Sequence, residues 1–481
     1  MLEILSTLYL LIPAWIFLIG WLKPTIAIAV SVLLIIAFVK YVKELHLDII
    51  QTKRAIPRTS SKKTVVISIL LIFWVVCSGT GGIIWQNTWD HKFRNAIFAD
   101  LVAYSWPITN NGNGLCYYIG FWMPAALVGK MFGLEVGYLF QTVWACFGVL
   151  LAIQLIFRYL GSQKLRTVIL LILYSGLDVC IYFAVGIVKQ RGIQEMLIPL
   201  LQGKHLELLT NYFNSSSNTT LLFWLYNQII PFWVGFMLIL TQQKNKAFPL
   251  IFALMIFFCP FPCVGMLPVI VYLYMKNHVF HDDNGKTVLG IVKRLLTPAN
   301  LSLIPFLLVL ALYYTSNVAV NKIAGLQLDL VTICLFVAYF VCEYGVYLWV
   351  IYPKNKRDPI LNILLVTTLI CSFVVMGDSY DFAWRTCIPL AFYIMLLIAK
   401  ELNNISLKTV AATFLIICLS LGAVTPVTEF LRTMRMEIQV LQGEESAKSD
   451  SLATVFTREN NECYENFIGN TESIFFEYLC K

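Results

Sequence analysis

Charge is scarce in this chain: of 481 residues, 13% are Asp, Glu, Lys or Arg and 59% are hydrophobic. A soluble domain of this length needs more charge to cover its surface, so the excess apolar area has to face lipid. The CxxC spacing of zinc and redox sites is missing. Most of the 13 cysteines lie inside apolar runs, Cys77, Cys146, Cys180, Cys334, Cys371 and Cys418 among them, where the residue behaves as a small hydrophobe. No cofactor is expected, although a divalent metal stays open. Also lacking are an internal repeat, a low-complexity tract and a nucleotide-binding glycine loop. The first apolar run, 4–22, has no basic n-region and no small-residue cleavage site, and reads as a retained helix rather than a signal peptide. The net charge of +8 raises the question of nucleic acid. Its distribution answers no: the basic residues sit in short loops between apolar runs, where topology signals belong.

What the sequence has in abundance is hydrophobic runs, with a mean hydropathy of +0.76 over the chain. About 20 apolar residues cross the hydrocarbon core as a helix, and only helices or closed barrels satisfy their backbone there. Thirteen runs qualify: 4–22, 25–42, 63–85, 135–158, 164–188, 219–241, 246–259, 262–276, 299–316, 328–352, 358–376, 381–399 and 406–424. The expected fold is an all-α polytopic membrane protein of about 13 transmembrane helices. Pro260 and Pro262 prevent one continuous helix over 246–276, leaving a tight hairpin or a single kinked helix. A further apolar run, 117–132, is decided by counting charge. If it lies along the outer interface, the inner loops carry 21 Lys and Arg against 8 in the outer connections. Positive residues favour the cytoplasmic side. The N-terminus is then cytoplasmic and the 425–481 tail extracytoplasmic, with the plasma membrane as the expected location. Three regions follow: 1–62 with two helices and a basic loop, a 63–424 core with outer loops 86–134 and 189–218, and the tail. Cys463 and Cys480 in that tail leave a disulfide open.

Avoidable ionisable residues mark function in a membrane protein. The first outer cluster runs from Trp89 to Leu101. Phe93, Ile97 and Leu101 share one helical face, with His91 and Asn95 opposite, which describes a surface-lying helix whose polar side looks into a cavity. Asp90 is a plain N-cap or part of a charged group with Lys92 and Arg94. Asp100 falls on the apolar stripe, so the helix ends early or the carboxylate has a buried partner. The second cluster runs from Lys204, His205 and Glu207 through Asn211 to Asn218 and Thr219, with Trp224, Asn227 and Gln228 on the following helix. It is a solvated loop capped by Asn218 or Thr219, or a face of amides and indole suited to hydroxyl-rich ligands. The third runs from Gly377 to Thr386. Asp381 and Arg385, four apart, are a structural ion pair or leave a guanidinium for a phosphate entering from the outer leaflet. Asp178 and Glu343 are lone intramembrane carboxylates that bond to neighbouring helices or, in the case of Asp178, face the cavity.

The layout resembles the GT-C superfamily of integral-membrane glycosyltransferases over most of 63–400. The best piece is Tyr117-Tyr118-Ile119-Gly120-Phe121-Trp122 through Met131-Phe132-Gly133, similar to the tyrosine-rich interfacial helix of that superfamily. The chain departs from it in carrying a single acidic residue, Asp90, where many members have two adjacent ones, and in two extra leading helices. The resemblance implies a sugar donor on a polyprenyl phosphate and a lipid-linked or cell-surface glycan acceptor at the outer face. Asp90, and with it Asp100, would be the catalytic acids, Asp90 accepting the proton of the attacking hydroxyl. Arg385, then Lys92, Arg94 and His205, would hold the donor phosphate. Asn95, Asn218, Trp224, Asn227, Gln228 and Asp381 would line the sugar and acceptor. A glycan polymerase or ligase and a lipid or solute transporter are the alternatives.

Overall fold

Proline placement sets many of the boundaries in this computed structural model. Pro249, Pro260, Pro298, Pro305 and Pro359 each stand in the first turn of a helix, where a missing N–H costs nothing. The structure describes residues 1–52, 61–86, 89–110, 112–207, 212–280, 287–321, 324–326, 328–376, 380–404, 410–443 and 465–481. Asn211, the turn residues 377–379, the basic residues of 53–60 and Cys463, the candidate partner of Cys480, lie outside the described residues.

In chain order the helices are α1 (Leu2–Trp21), α2 (Pro24–Thr52), α3 (Ser61–Cys77), α4 (Trp89–Ala103), α5 (Met123–Phe132), α6 (Leu134–Leu160), α7 (Leu165–Leu173) and α8 (Asp178–Val188). They continue with α9 (Ile193–Leu201), α10 (Asn218–Gln242), α11 (Pro249–Ile256), α12 (Pro260–Tyr274), α13 (Val288–Leu295), α14 (Pro298–Leu301) and α15 (Ile304–Thr315). The last are α16 (Leu330–Phe340), α17 (Val346–Asn355), α18 (Pro359–Cys371), α19 (Asp381–Thr386), α20 (Ile388–Asn404), α21 (Val410–Gly422) and α22 (Val424–Leu441). Among the described residues nine helical stretches are long and apolar enough to cross a membrane, and the chain is an all-α polytopic membrane protein. Of the thirteen apolar runs, those in α3, α11, α12 and α18 form helices of 17, 8, 15 and 13 residues, shorter than a full span.

The bundle is built around α10 and α20. The spans containing them are each 89% buried, against 28% for α2 at the periphery. Several helices are broken within their apolar runs. The run 164–188 splits at Tyr174–Leu177 into α7 and α8. The run 328–352 carries a π turn at Val341–Gly345. α10 bends at Leu225, whose φ and ψ (−128°, 29°) leave the helical region. α11 and α12 form a hairpin, closed at its foot by Asn277 Nδ2 donating to the Gln243 carbonyl (3.2 Å). Its turn reaches the other end of the bundle, where Phe261 meets Tyr118 and Phe382.

The two ends of the bundle are distinct. At one end Arg158 pairs with Glu3 and Lys354 with Glu401, while Lys164 and Arg166 donate to Asn403 (3.0 and 2.9 Å). This end gathers the basic loops. At the other, short strands β1 (Thr109–Asn110), β2 (Asn113–Leu115) and β5 (Ile468–Asn470) form an antiparallel sheet in the order β1-β2-β5. There β3 (Ala324–Leu326) pairs with β4 (Val374–Met376), and Lys481 N–H donates to the Trp21 carbonyl (3.1 Å). The final residues therefore lie over the outer loops instead of trailing away as a separate tail. The run 117–132 becomes a 3-10 turn (Ile119–Trp122) followed by α5, a 10-residue helix of about 15 Å that is too short to cross. Its tip exposes Met131 and Phe132, but Ile119 to Ala126 are buried against α4 and α6, so the segment is a wedge more than a surface helix.

Gly265 on α12 shows how tightly the site is held. A Cβ there would stand 2.1 Å from the main-chain oxygen of Thr386 on α19. Gly265→Ala is expected to force the two helices apart at a cost of about 1–3 kcal/mol, seen as a lower detergent melting temperature.

Candidate functional site

Helix α4 places the first set of groups. It was expected at the surface with one polar face; instead it is buried on nearly every side, with His91, Arg94, Asn95, Asp100, Phe93 and Ile97 all at or below 6% exposure. The covering comes from α5, α6 and the returning chain end, where Phe467 stacks on Phe93 and touches Tyr117. Asp90 stands in the first turn of α4, not ahead of it, and pairs with Arg94 (3.5 Å). Arg94 lies near the Tyr226 ring, 5.9 Å from its centroid. Its Nε and Nη1 make no hydrogen bond within the protein although the side chain is 3% exposed. His91 donates from Nε2 to the Phe223 carbonyl, beside the bend of α10 at Leu225. Burial first, and the Arg94 charge second, push that imidazole down to about 3, so it is neutral at physiological pH.

Arg385 approaches from the opposite side. It pairs with Asp381 (2.7 Å) within α19, and its side chain is 12% exposed. Tyr117 lies within reach of the charges of both groups, whereas of these charges Tyr118 feels those of Arg385 and Asp381. Burial raises the Tyr117 phenol; of the charges reaching it, Arg94 and Arg385 lower it and Asp90 and Asp381 raise it. Arg385 in turn feels Asp90 as well as Asp381. Asn227 Nδ2 reaches the Tyr118 carbonyl (3.5 Å), while its Oδ1 has no partner within the protein. Asp90, Arg94, Arg385 and Asp381 thus act on one tyrosine, Tyr117, with Asn227 and the α11–α12 hairpin tip beside the neighbouring Tyr118.

The remaining expected residues fall elsewhere. α4 runs three residues past Asp100, so the helix does not end early, and the carboxyl is 6% exposed. Ten helical residues separate it from Asp90, about 15 Å, so the two acids cannot act on one atom. Lys92 is half-buried and, two residues from Arg94, points to another side of α4. Asn95 is buried where Tyr138 donates to its main-chain oxygen (3.4 Å). The cap of α10 is neither Asn218 nor Thr219 but Ser217, whose Oγ accepts from Thr220 N–H (3.0 Å). Asn218 and Gln228 are buried, each with an unpartnered side-chain nitrogen. The bend at Leu225 breaks the phase between Trp224 and Asn227, so the three-residue face does not form.

His205 and Trp224 belong to a second, adjoining group that the sequence did not reveal. His205 Nδ1 donates to Glu429 (2.7 Å), and Trp224 Nε1 donates to the same carboxylate (3.0 Å). Arg432 pairs with Glu429 and lies 4.5 Å from the Trp224 ring centroid. Glu429 and Arg432 are on α22, at the start of what was expected to be a free tail. The signal was present: Thr425, Thr428, Glu429, Arg432 and Thr433 make a polar stripe at helical spacing. Gly203, at φ +78°, allows the α9–α10 connection to touch the Arg432 backbone. Beneath this group, Asp178 accepts from Ser175 and Thr425 (3.2 Å each) and hydrogen-bonds Glu343. The two carboxylates bridge the break between α7 and α8 to the π turn.

Glu207 accepts from Ser217 N–H (2.8 Å) and the Thr220 hydroxyl (2.7 Å). Burial raises its carboxyl to about 7, with the His205 charge opposing and Asp178 and Glu429 assisting. The folded state keeps this proton to about pH 7, whereas the unfolded chain releases it near 4.5. Stability from this group is therefore full in acid and declines as pH rises through that window. Glu207→Gln is expected to flatten that decline in detergent melting curves between about pH 5 and 8; an unchanged slope would refute the assignment.

Among the described residues no three His, Cys, Asp or Glu side chains are arranged to hold a metal ion. Neither a family model, nor a curated protein, nor a solved structure matches this chain.

Proposed function

We propose that the chain transfers a sugar from a polyprenyl-phosphate donor to a lipid-linked or surface glycan acceptor, at the membrane face opposite the basic loops. The basic end is the cytoplasmic one by the positive-inside rule. What supports the reading is that Asp90 and Arg385 are near enough for each other's charge to be felt, and that both act on Tyr117; the space beside them is the proposed reaction chamber. A carboxylate beside an attacking hydroxyl orients it and accepts its proton. A guanidinium with free donors stabilises the charge that develops on a leaving phosphate. Arg385 takes that role with Arg94 behind it. An apolar groove of about 680 Å³, lined by Phe336, Phe340, Leu348, Trp349, Leu365 and Leu369, supports a lipid-borne donor. Its Phe336 end meets Phe213 (5.3 Å), next to Tyr212, whose carbonyl accepts from Trp384 beside Arg385 (3.0 Å).

The test is reconstitution in proteoliposomes with a panel of labelled polyprenyl-phosphate sugars and a glycolipid extract. Transfer of label to glycolipid supports the reading; no transfer from any donor refutes it. The break at Tyr174–Leu177 and the hairpin tip favour a second reading, transport, because transporters build their sites from discontinuous helices. Flux of lipid or solute with no glycosyl donor present would select it. Accumulation of single repeat units in a deletion strain would select a polymerase or ligase.

A further inference from the structure

Beside the Asp90–Arg385 region, the group on α22 brings two basic side chains to one carboxylate and leaves some of their donors unused. His205 and Arg432 share one fully buried carboxylate, Glu429. Burial lowers the His205 imidazole, but the hydrogen bond and charge of Glu429, with the charge of Glu207, outweigh it and hold the ring above its ordinary value. The charges of Glu207 and Asp90 also reach Arg432, but among the hydrogen bonds and ion pairs of this group it is Glu429 that both cations contact. Arg432 is 11% exposed and its Nε has no hydrogen-bond partner in the protein. Glu429 takes His205 Nδ1, which turns Nε2 away from it. Both cations lie against Trp224, with the His205 ring 5.1 Å and the Arg432 guanidinium 4.5 Å from its centroid. They are held around one ring and one carboxylate, the arrangement on which the proposal rests.

We propose that His205 and Arg432 form a second oxyanion subsite beside the Asp90–Arg385 chamber, one that takes the phosphate of a lipid-borne acceptor. The adjacent Trp224 ring supplies an apolar wall, and Glu429 is a positioning residue that orients both cations. The assignment to the acceptor rests on the transfer reading; the binding of a phosphate does not.

The test uses the full chain in detergent, with inorganic phosphate as probe and the melting temperature as readout. Arg385→Gln provides the background, so that phosphate binding beside Asp90 is weakened, and the effect of each second substitution is read against it. In that background phosphate is expected to stabilise the protein, and adding either His205→Gln or Arg432→Gln should raise the half-saturating concentration at least about tenfold. The glutamine at 205 keeps a donor for Glu429 and guards against misfolding as the cause. Unchanged half-saturation in both double variants overturns the subsite. A second arm uses nanodiscs of phosphatidylcholine with and without phosphatidic acid. Competition by phosphatidic acid against phosphate supports a lipid-borne ligand, and its absence overturns that part of the proposal. Loss of phosphate binding at 205 and 432 with sugar transfer intact would overturn the acceptor assignment and leave the function of the chamber standing.

Discussion

If the proposed transfer is correct, Asp90→Asn is expected to slow it by about a hundredfold or more while the protein still folds. Asparagine has nearly the shape of aspartate and keeps an oxygen toward Arg94, so the α4 pair loses charge but not its contact. Asp90 is 36% exposed, and the conformational cost of the change is small, on the order of 1–2 kcal/mol. What asparagine cannot do is accept a proton from an attacking hydroxyl. The loss should appear in kcat and kcat/KM together, since the interaction is made in the transition state. Asp100→Asn, about 15 Å away along the same helix, should leave kcat near the wild-type value. Normal transfer by Asp90→Asn would remove the catalytic assignment altogether.

Arg385→Gln is expected to slow transfer by about 10² to 10³, the usual effect of removing one donor that stabilises developing negative charge. Asp381 is left without its partner, but at 39% exposure water can solvate it. Arg385→Lys separates charge from geometry. Lysine supplies a cation without the planar fork, so it should recover part of the rate and not all of it. Equal rates for the lysine and glutamine variants would mean that charge at this position is not what matters.

The broad architecture was legible because hydrophobic runs and loop charge are local properties. Among the described residues each apolar run contains a helix or a broken pair of helices, and Arg158, Lys164, Arg166 and Lys354 gather at one end. The breaks were harder. Only Pro260 and Pro262 announced one; the split at Tyr174–Leu177 follows from no proline, and the bend at Leu225 lies six residues before Pro231. Asp90, Arg385 and Asn227 were readable as polar residues at apolar boundaries. Glu429 and Arg432 were overlooked because a polar helix after the last span looks solvated. In this protein its polar face is the buried one, satisfied by His205 and Trp224 from a loop and helix more than 200 residues earlier. Long-range pairing of that kind has no local signature. The same holds for α4, whose amphipathic pattern hid the fact that the chain end covers its second face.

The account depends on the chamber opening to the side of the membrane away from the basic loops. Cysteines introduced singly at Ser105, beyond the end of α4, and at Lys356, among the basic residues after α17, report on the two sides; both positions are exposed. In intact cells a membrane-impermeant maleimide should label Ser105→Cys above the wild-type background and should reach Lys356→Cys only after permeabilisation. Labelling of Lys356→Cys in intact cells, with Ser105→Cys protected, would contradict transfer at the outer face.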